Sequence, residues 1–210
     1  GALSVHEFPG AVTSLCVDAL RGVEGAQSAV SRGDEFLMGA GGLAAGHSRV
    51  SERLWSIALG LGALSRMPAS PRRAELGAAL VRELEAMEAA RPPVVLEGGR
   101  PRTGLDYSPV NGGAASFHVA VLIDNLEAAR RAGLAVPQSL LDSLTATLGT
   151  ARLPHGGFEY ICGRDREMPY ENTAARNPGC ESALASQGRS DDARVLEALD
   201  GFLRYREGIR

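Results

Sequence analysis

Two side chains of this chain could do reactive chemistry together. His118, beside Phe117 at the opening of a helical segment, titrates near neutral pH and could pass a proton. Cys180, on a later helical segment, could serve as a thiolate nucleophile or a metal ligand beside it. Each has a structural alternative: the histidine is a satisfied, partly buried side chain, and the cysteine is simply packed on an apolar helix. Glu171, followed by Asn172, directly precedes the segment that carries Cys180, and the pair either supplies an acid or caps backbone donors. Trp55, Phe117, Tyr107 and Tyr160 are the aromatic residues expected to wall a ligand pocket, with Trp55 open to a plain core role as well. His47 and His155 fall in Gly-rich loops and are expected to be solvated.

These residues sit in a repeated frame. Thr103-Gly104-Leu105-Asp106-Tyr107 and Gly156-Gly157-Phe158-Glu159-Tyr160 both read Gly, large apolar, carboxylate, Tyr, with Gly104 and Gly157 placed 53 positions apart. A unit that recurs at such a period and cannot bury its own apolar face must stack on its neighbours. Asp106 and Glu159 occupy the same place in the two copies, so they are expected to hold the loop of each repeat. A second echo, Cys16-Val17-Asp18-Ala19-Leu20 against Cys180-Glu181-Ser182-Ala183-Leu184, shares Cys, Ala and Leu at equal spacing.

The segments between the copies carry helical periodicity in pairs. Val12, Leu15, Cys16, Ala19 and Val23 recur every three or four residues, and a second segment follows over 27–38. Leu54, Trp55, Ala58, Leu61 and Leu64 mark a third helix ended by Pro68; Ser70-Pro71 opens a fourth as cap and first helical residue, running through Leu76, Leu80, Leu84 and Met87. After a connection over 92–113 rich in Pro and Gly, Ser116 is expected to cap a helix that Gly133 stops in the left-handed conformation, with a partner helix from Pro137. A further helix is expected from Asn172 or Pro178 to Gly188, and Ser190-Asp191-Asp192 opens the last, placing acids at the positive end of its dipole. The expectation is one all-α domain over 1–210 built from four helical hairpins at about 10–40, 51–91, 114–149 and 170–207.

Bulk composition narrows the function classes. The 210 residues are 44% apolar and 22% charged, as in a folded domain, and aromatics make up only 5%. Twenty-two basic against 25 acidic residues give a net charge of −3 with no basic stripe, which argues against nucleic acid as a partner. Every basic residue is Arg, as GC-rich coding would favour. Three cysteines without a C-x-x-C pair disfavour a disulfide framework and fit a reducing, cytoplasmic setting. No run approaches the roughly 20 apolar residues that span a bilayer, and the first residues lack the pattern of an intact signal peptide.

From Ala115-Ser116-Phe117-His118 through Ala132-Gly133-Leu134-Ala135-Val136-Pro137 to His155-Gly156-Gly157-Phe158-Glu159-Tyr160, the chain resembles the prenyltransferase and squalene cyclase repeat superfamily. Its unit is an inner helix, a turn with Gly and Pro, an outer helix and a Gly-Gly-Phe-Gly-Tyr-like loop. The resemblance implies an α/α toroid with an apolar cavity, and four hairpins imply an open horseshoe or a partial ring.

The same resemblance exposes what is missing. Asp-x-Asp-Asp, the cyclase acid, does not occur; Asp191-Asp192 is explained by capping. Asp-Asp-x-x-Asp for magnesium is absent, and the Asp-x-Cys with a later His that binds zinc in protein prenyltransferases has no counterpart, since Cys16 precedes Asp18 and no His follows Cys180. No metal or cofactor is therefore expected. The resemblance then implies either a binding or scaffold module with an apolar, isoprenoid-like ligand, or a divergent terpene cyclase whose acid is His118 or Glu171 and whose cavity is lined by Trp55, Phe117, His118 and Cys180. The N-terminal run Leu3, Val5, Phe8, Val12, Leu15 and Val17 has little polar cover. It is expected to meet a second copy or another part of a longer protein, whereas the last helix carries enough charge to face water.

Overall fold

The computed structural model describes residues 9–45, 50–90, 105, 113–163 and 168–206. Among them the chain is all-helical, with helices α1 (Pro9–Leu20), α2 (Gln27–Met38), α3 (Val50–Arg66), α4 (Pro71–Ala90), α5 (Ser116–Arg131), α6 (Gln138–Thr150), α7 (Asn177–Ser186) and α8 (Asp192–Tyr205). A 3-10 turn, Tyr170–Asn172, precedes α7, and among the described residues extended pairing is confined to the isolated bridges Ala115 to Ile161 and Arg152 to Phe158. No helix among the described residues is long and apolar enough to cross a membrane.

Local sequence chemistry sets several of these boundaries. The Ser70 hydroxyl accepts from the Arg73 amide at 3.2 Å, with Pro71 as the first residue of α4. Asp191 accepts from the Arg194 amide at 2.9 Å and starts α8. Gly133 stops α5 with φ of 83°. Ser116 departs from expectation. It is the first residue of α5, but its hydroxyl donates to the Glu159 carbonyl at 2.5 Å, which ties the helix to the Gly-Gly-Phe-Glu-Tyr segment.

The chain divides into two compact units. Unit 1 comprises Gly1–Ala86 and Asn125–Pro137. In it α1 packs on both α2 and α3, with Leu54, Ile57, Leu61 and Leu64 of α3 fully buried. The α1–α2 approach is close, because a methyl group at Gly33 would lie 2.2 Å from the Val17 side chain. Polar ties cross the same helices: Asp18 meets Arg66 at 2.7 Å, and Arg21 meets Asp34 at 2.6 Å. Burial raises the Asp18 carboxyl above the usual range, against the pull of Arg66 and Arg21. Arg73 on α4 donates to the Met67 carbonyl at 2.9 Å and to the Ala132 carbonyl, so one guanidinium satisfies orphan oxygens just past the ends of α3 and α5.

The apolar stripe expected to bury α1 is largely on its surface: Leu15 is 54% exposed, and Cys16 and Ala19 are exposed too. Cys180, its partner in the cysteine echo, is fully buried, so the two matching segments do not share an environment.

Unit 2 comprises Met87–Asp124 and Gln138–Arg210. There α7 packs on α8 and α6. Along α8 the inward positions are Ala198 and Gly201, while the charged Arg194, Glu197, Asp200 and Arg204 face water as expected. Leu196, Leu199 and Leu203 face outward with them, a second place where sequence periodicity marks an apolar face that the fold leaves open.

Candidate functional site

The second repeat copy is pinned from both sides. Leu153 N donates to Gly157 O at 2.8 Å and Glu159 N to Ala151 O at 2.8 Å, while Ser116 N reaches Tyr160 O at 2.9 Å and Cys162 N reaches Ala114 O at 2.9 Å. The two glycines have separate reasons to be glycine. Gly156 takes φ of 85°, and a methyl group at Gly157 would lie 2.4 Å from the Thr173 hydroxyl. Phe158 is fully buried, its amide donating to Asn177 Oδ1 at 3.0 Å and its carbonyl accepting from Arg176 Nε at 2.8 Å. Glu159 is buried within the same segment.

Gly156 and the residues before it, Arg152 to His155, line a cleft of about 690 Å³ in unit 2 together with Tyr170, Glu181 of α7 and Arg194, Glu197 and Ala198 of α8. Of these lining residues Arg152 and Glu181 form an ion pair, and Ser190 Oγ donates to Glu181 Oε2 at 2.5 Å. The Arg152 guanidinium also lies 5.7 Å from the centre of the Phe158 ring. His155 is exposed but not merely solvated: Nδ1 accepts from the Gly157 amide at 3.1 Å, so Nε2 carries the proton it donates to the Met168 carbonyl at 2.7 Å. Its ring meets Tyr170 edge-on at 5.7 Å, and Tyr170 lies 6.0 Å from Tyr205. A second, more apolar cleft of about 470 Å³ shares Leu153, Pro154 and His155 with the first and adds Met168 and Pro169.

The residues singled out by chemical type are distributed otherwise. Phe117 and Tyr160 do come together, ring centres 5.3 Å apart, with the Arg176 guanidinium 5.8 Å from the Tyr160 ring. Burial lowers the Arg176 pKa from its ordinary value. His118 and Cys180 are both buried, and Glu171 is exposed on the 3-10 turn before α7. Burial pushes the Cys180 thiol up to about 12, against the smaller pull of its hydrogen bond with the Ser116 hydroxyl and of Arg176, so at neutral pH it is a thiol. Trp55 is half-buried on α3 in unit 1. Tyr107, Asp106, His47 and the run before Pro9 lie outside the described residues.

No disulfide joins Cys16, Cys162 and Cys180, and among the described residues no three His, Cys, Asp or Glu side chains gather as a ligand set for a metal. Arg152, Tyr170, Glu181, Arg194 and Glu197, which line the larger cleft, carry no mark in the sequence that sets them apart. Arg152 and Glu181 stand 29 positions apart, and no local spacing links them.

Compared with known proteins, the chain matches no family model, no curated protein and no solved structure.

Proposed function

We propose that this chain is a binding or scaffold module on the prenyltransferase and squalene cyclase repeat plan, an α/α toroid or open horseshoe of four hairpins that holds an apolar, isoprenoid-like molecule without transforming it. The observation that carries the reading is the state of Cys180: the nucleophile candidate is held protonated in the interior, hydrogen-bonded to Ser116. Other groups are likewise committed to structure. Both ring nitrogens of His155 are bonded to backbone, and Glu181 is shared between Arg152 and Ser190. Fold alone establishes no activity, so the weight rests on these side chains.

The competing reading is a divergent isoprenoid cyclase that draws its proton from His118 or Glu171. Incubation with isoprenoid substrates decides between them. Recovery of unchanged substrate supports the module; cyclised or hydrolysed product that disappears in His118→Gln or Glu171→Gln overturns it. Self-association belongs to the same proposal, supported by the exposure of Leu15, Cys16 and Ala19 on α1. Sedimentation that finds a strict monomer at tens of micromolar would remove it.

A further inference from the structure

The polar groups around the larger cleft of unit 2 fall into two sets. Glu181 and His155 are held by the protein itself, and Arg152 is paired with Glu181 through its Nη2 while its Nε is buried without a hydrogen-bond partner among the described residues. Arg194, Glu197 and Tyr170 line the same space, and none of these three side chains has a hydrogen-bond or ion-pair partner among the described residues. Arg194 and Glu197 stand three positions apart on α8, so one face of the cleft carries a cation and an anion a single helical turn apart that are not paired with each other. The adjoining apolar cleft, with Leu153, Pro154, Met168 and Pro169, begins at the shared wall.

The geometry points to a binding site for a free apolar α-amino acid, its carboxylate on Arg194, its ammonium on Glu197 and its side chain in the apolar cleft. Charge complementarity selects this class. A purely anionic amphiphile would satisfy Arg194 and leave Glu197 facing a like charge, and a cationic one would do the reverse. An α-amino acid carries both charges on one carbon, which suits groups one turn apart. The Arg152–Glu181 pair in the same lining is neutral as a unit. The inference rests on the reading of the chain as a binding module and adds a second ligand class to it.

Calorimetric titration of the full chain tests it with L-phenylalanine, N-acetyl-L-phenylalanine, L-phenylalanine amide and glycine. Phenylalanine is expected to bind about tenfold more tightly than the acetylated form or the amide, each of which lacks one charge, and glycine to give no heat. Arg194→Gln should bring phenylalanine down to the affinity of its amide and leave the amide unchanged; Glu197→Gln should do the same with the acetylated form. Both positions are exposed, and unchanged melting temperatures confirm that the variants fold. Equal binding of phenylalanine and its acetylated form, indifference of phenylalanine to both substitutions, or no binding of phenylalanine overturns the assignment. Farnesol binding without turnover in that last case leaves the module reading standing. Turnover of an isoprenoid sinks that reading while the amino acid titration still stands or falls by itself.

Discussion

Arg152 and Glu181 form an ion pair with 22% and 3% of their side chains exposed. Glu181 is held on its other side by Ser190, and Arg152 lies over Phe158, so the pair joins the loop after α6 to α7 and to the start of α8. Removing one partner leaves the other charge in a poorly solvated place. Glu181→Gln is expected to lower unfolding free energy by about 3 kcal/mol. Arg152→Met with Glu181→Leu should recover much of that loss, because an apolar pair of similar volume carries no desolvation cost. Urea denaturation of the three variants checks the order; a double variant less stable than the single one contradicts it.

Gly156 and Gly157 separate two kinds of glycine requirement. Gly156→Ala forces a left-handed conformation on a residue with a β-carbon and should cost about 1 kcal/mol. Gly157→Ala drives a methyl group toward Thr173 Oγ, an atom of a buried residue that also accepts from Asn177 Nδ2 at 3.1 Å, and should cost about 2 kcal/mol. The His155 ring, also close to that methyl position, is exposed and can yield only by giving up its bonds to the Gly157 amide and the Met168 carbonyl. Denaturation midpoints give the ranking, and equal losses at the two positions would contradict this division.

Those glycines also show what the sequence makes legible. All-helical structure follows from periodicity, and the starts at Ser70-Pro71 and Asp191 and the stop at Gly133 follow from chemistry local to a few residues. Burial direction is less legible. Leu15 on α1 and Leu196, Leu199 and Leu203 on α8 have the same spacing as core residues, yet they are exposed, because periodicity shows that a helix has an apolar face without showing what covers it. The cleft was illegible for another reason. Its wall joins the loop after α6 to one turn of α8, and ordinary surface types such as Arg and Glu carry no local mark that they will meet across a fold.

Arg73 offers a stability test away from the cleft. Its guanidinium donates to the carbonyls of Met67 and Ala132, each just past the end of a helix where four oxygens lack intrahelical partners. Arg73→Met retains the aliphatic stem and removes both donors, and the expected loss is about 2 kcal/mol. Arg73→Lys should recover less than half, since a single ammonium does not reproduce the planar fork that spans two acceptors. Full recovery by lysine, read from thermal unfolding, would show that charge alone matters there.

Cys180 sets the alkaline limb of stability. Its thiol is pushed up to about 12 in the folded chain from an ordinary 9.0, mainly by burial. Above the unfolded value the unfolded chain releases this proton and the folded chain keeps it, so the unfolded state binds fewer protons and stability falls as pH rises. The slope is up to about 1.4 kcal/mol per pH unit between the two values and vanishes below the lower one. Cys180→Ala removes the group and should flatten this part of the pH profile, at the cost of a small cavity beside Ser116 that lowers stability equally at all pH values. Unfolding free energies measured from pH 7 to 10.5 in both proteins supply the comparison. Parallel profiles would show that the thiol is not shielded from solvent, and with that the main support for a non-catalytic Cys180 would fall.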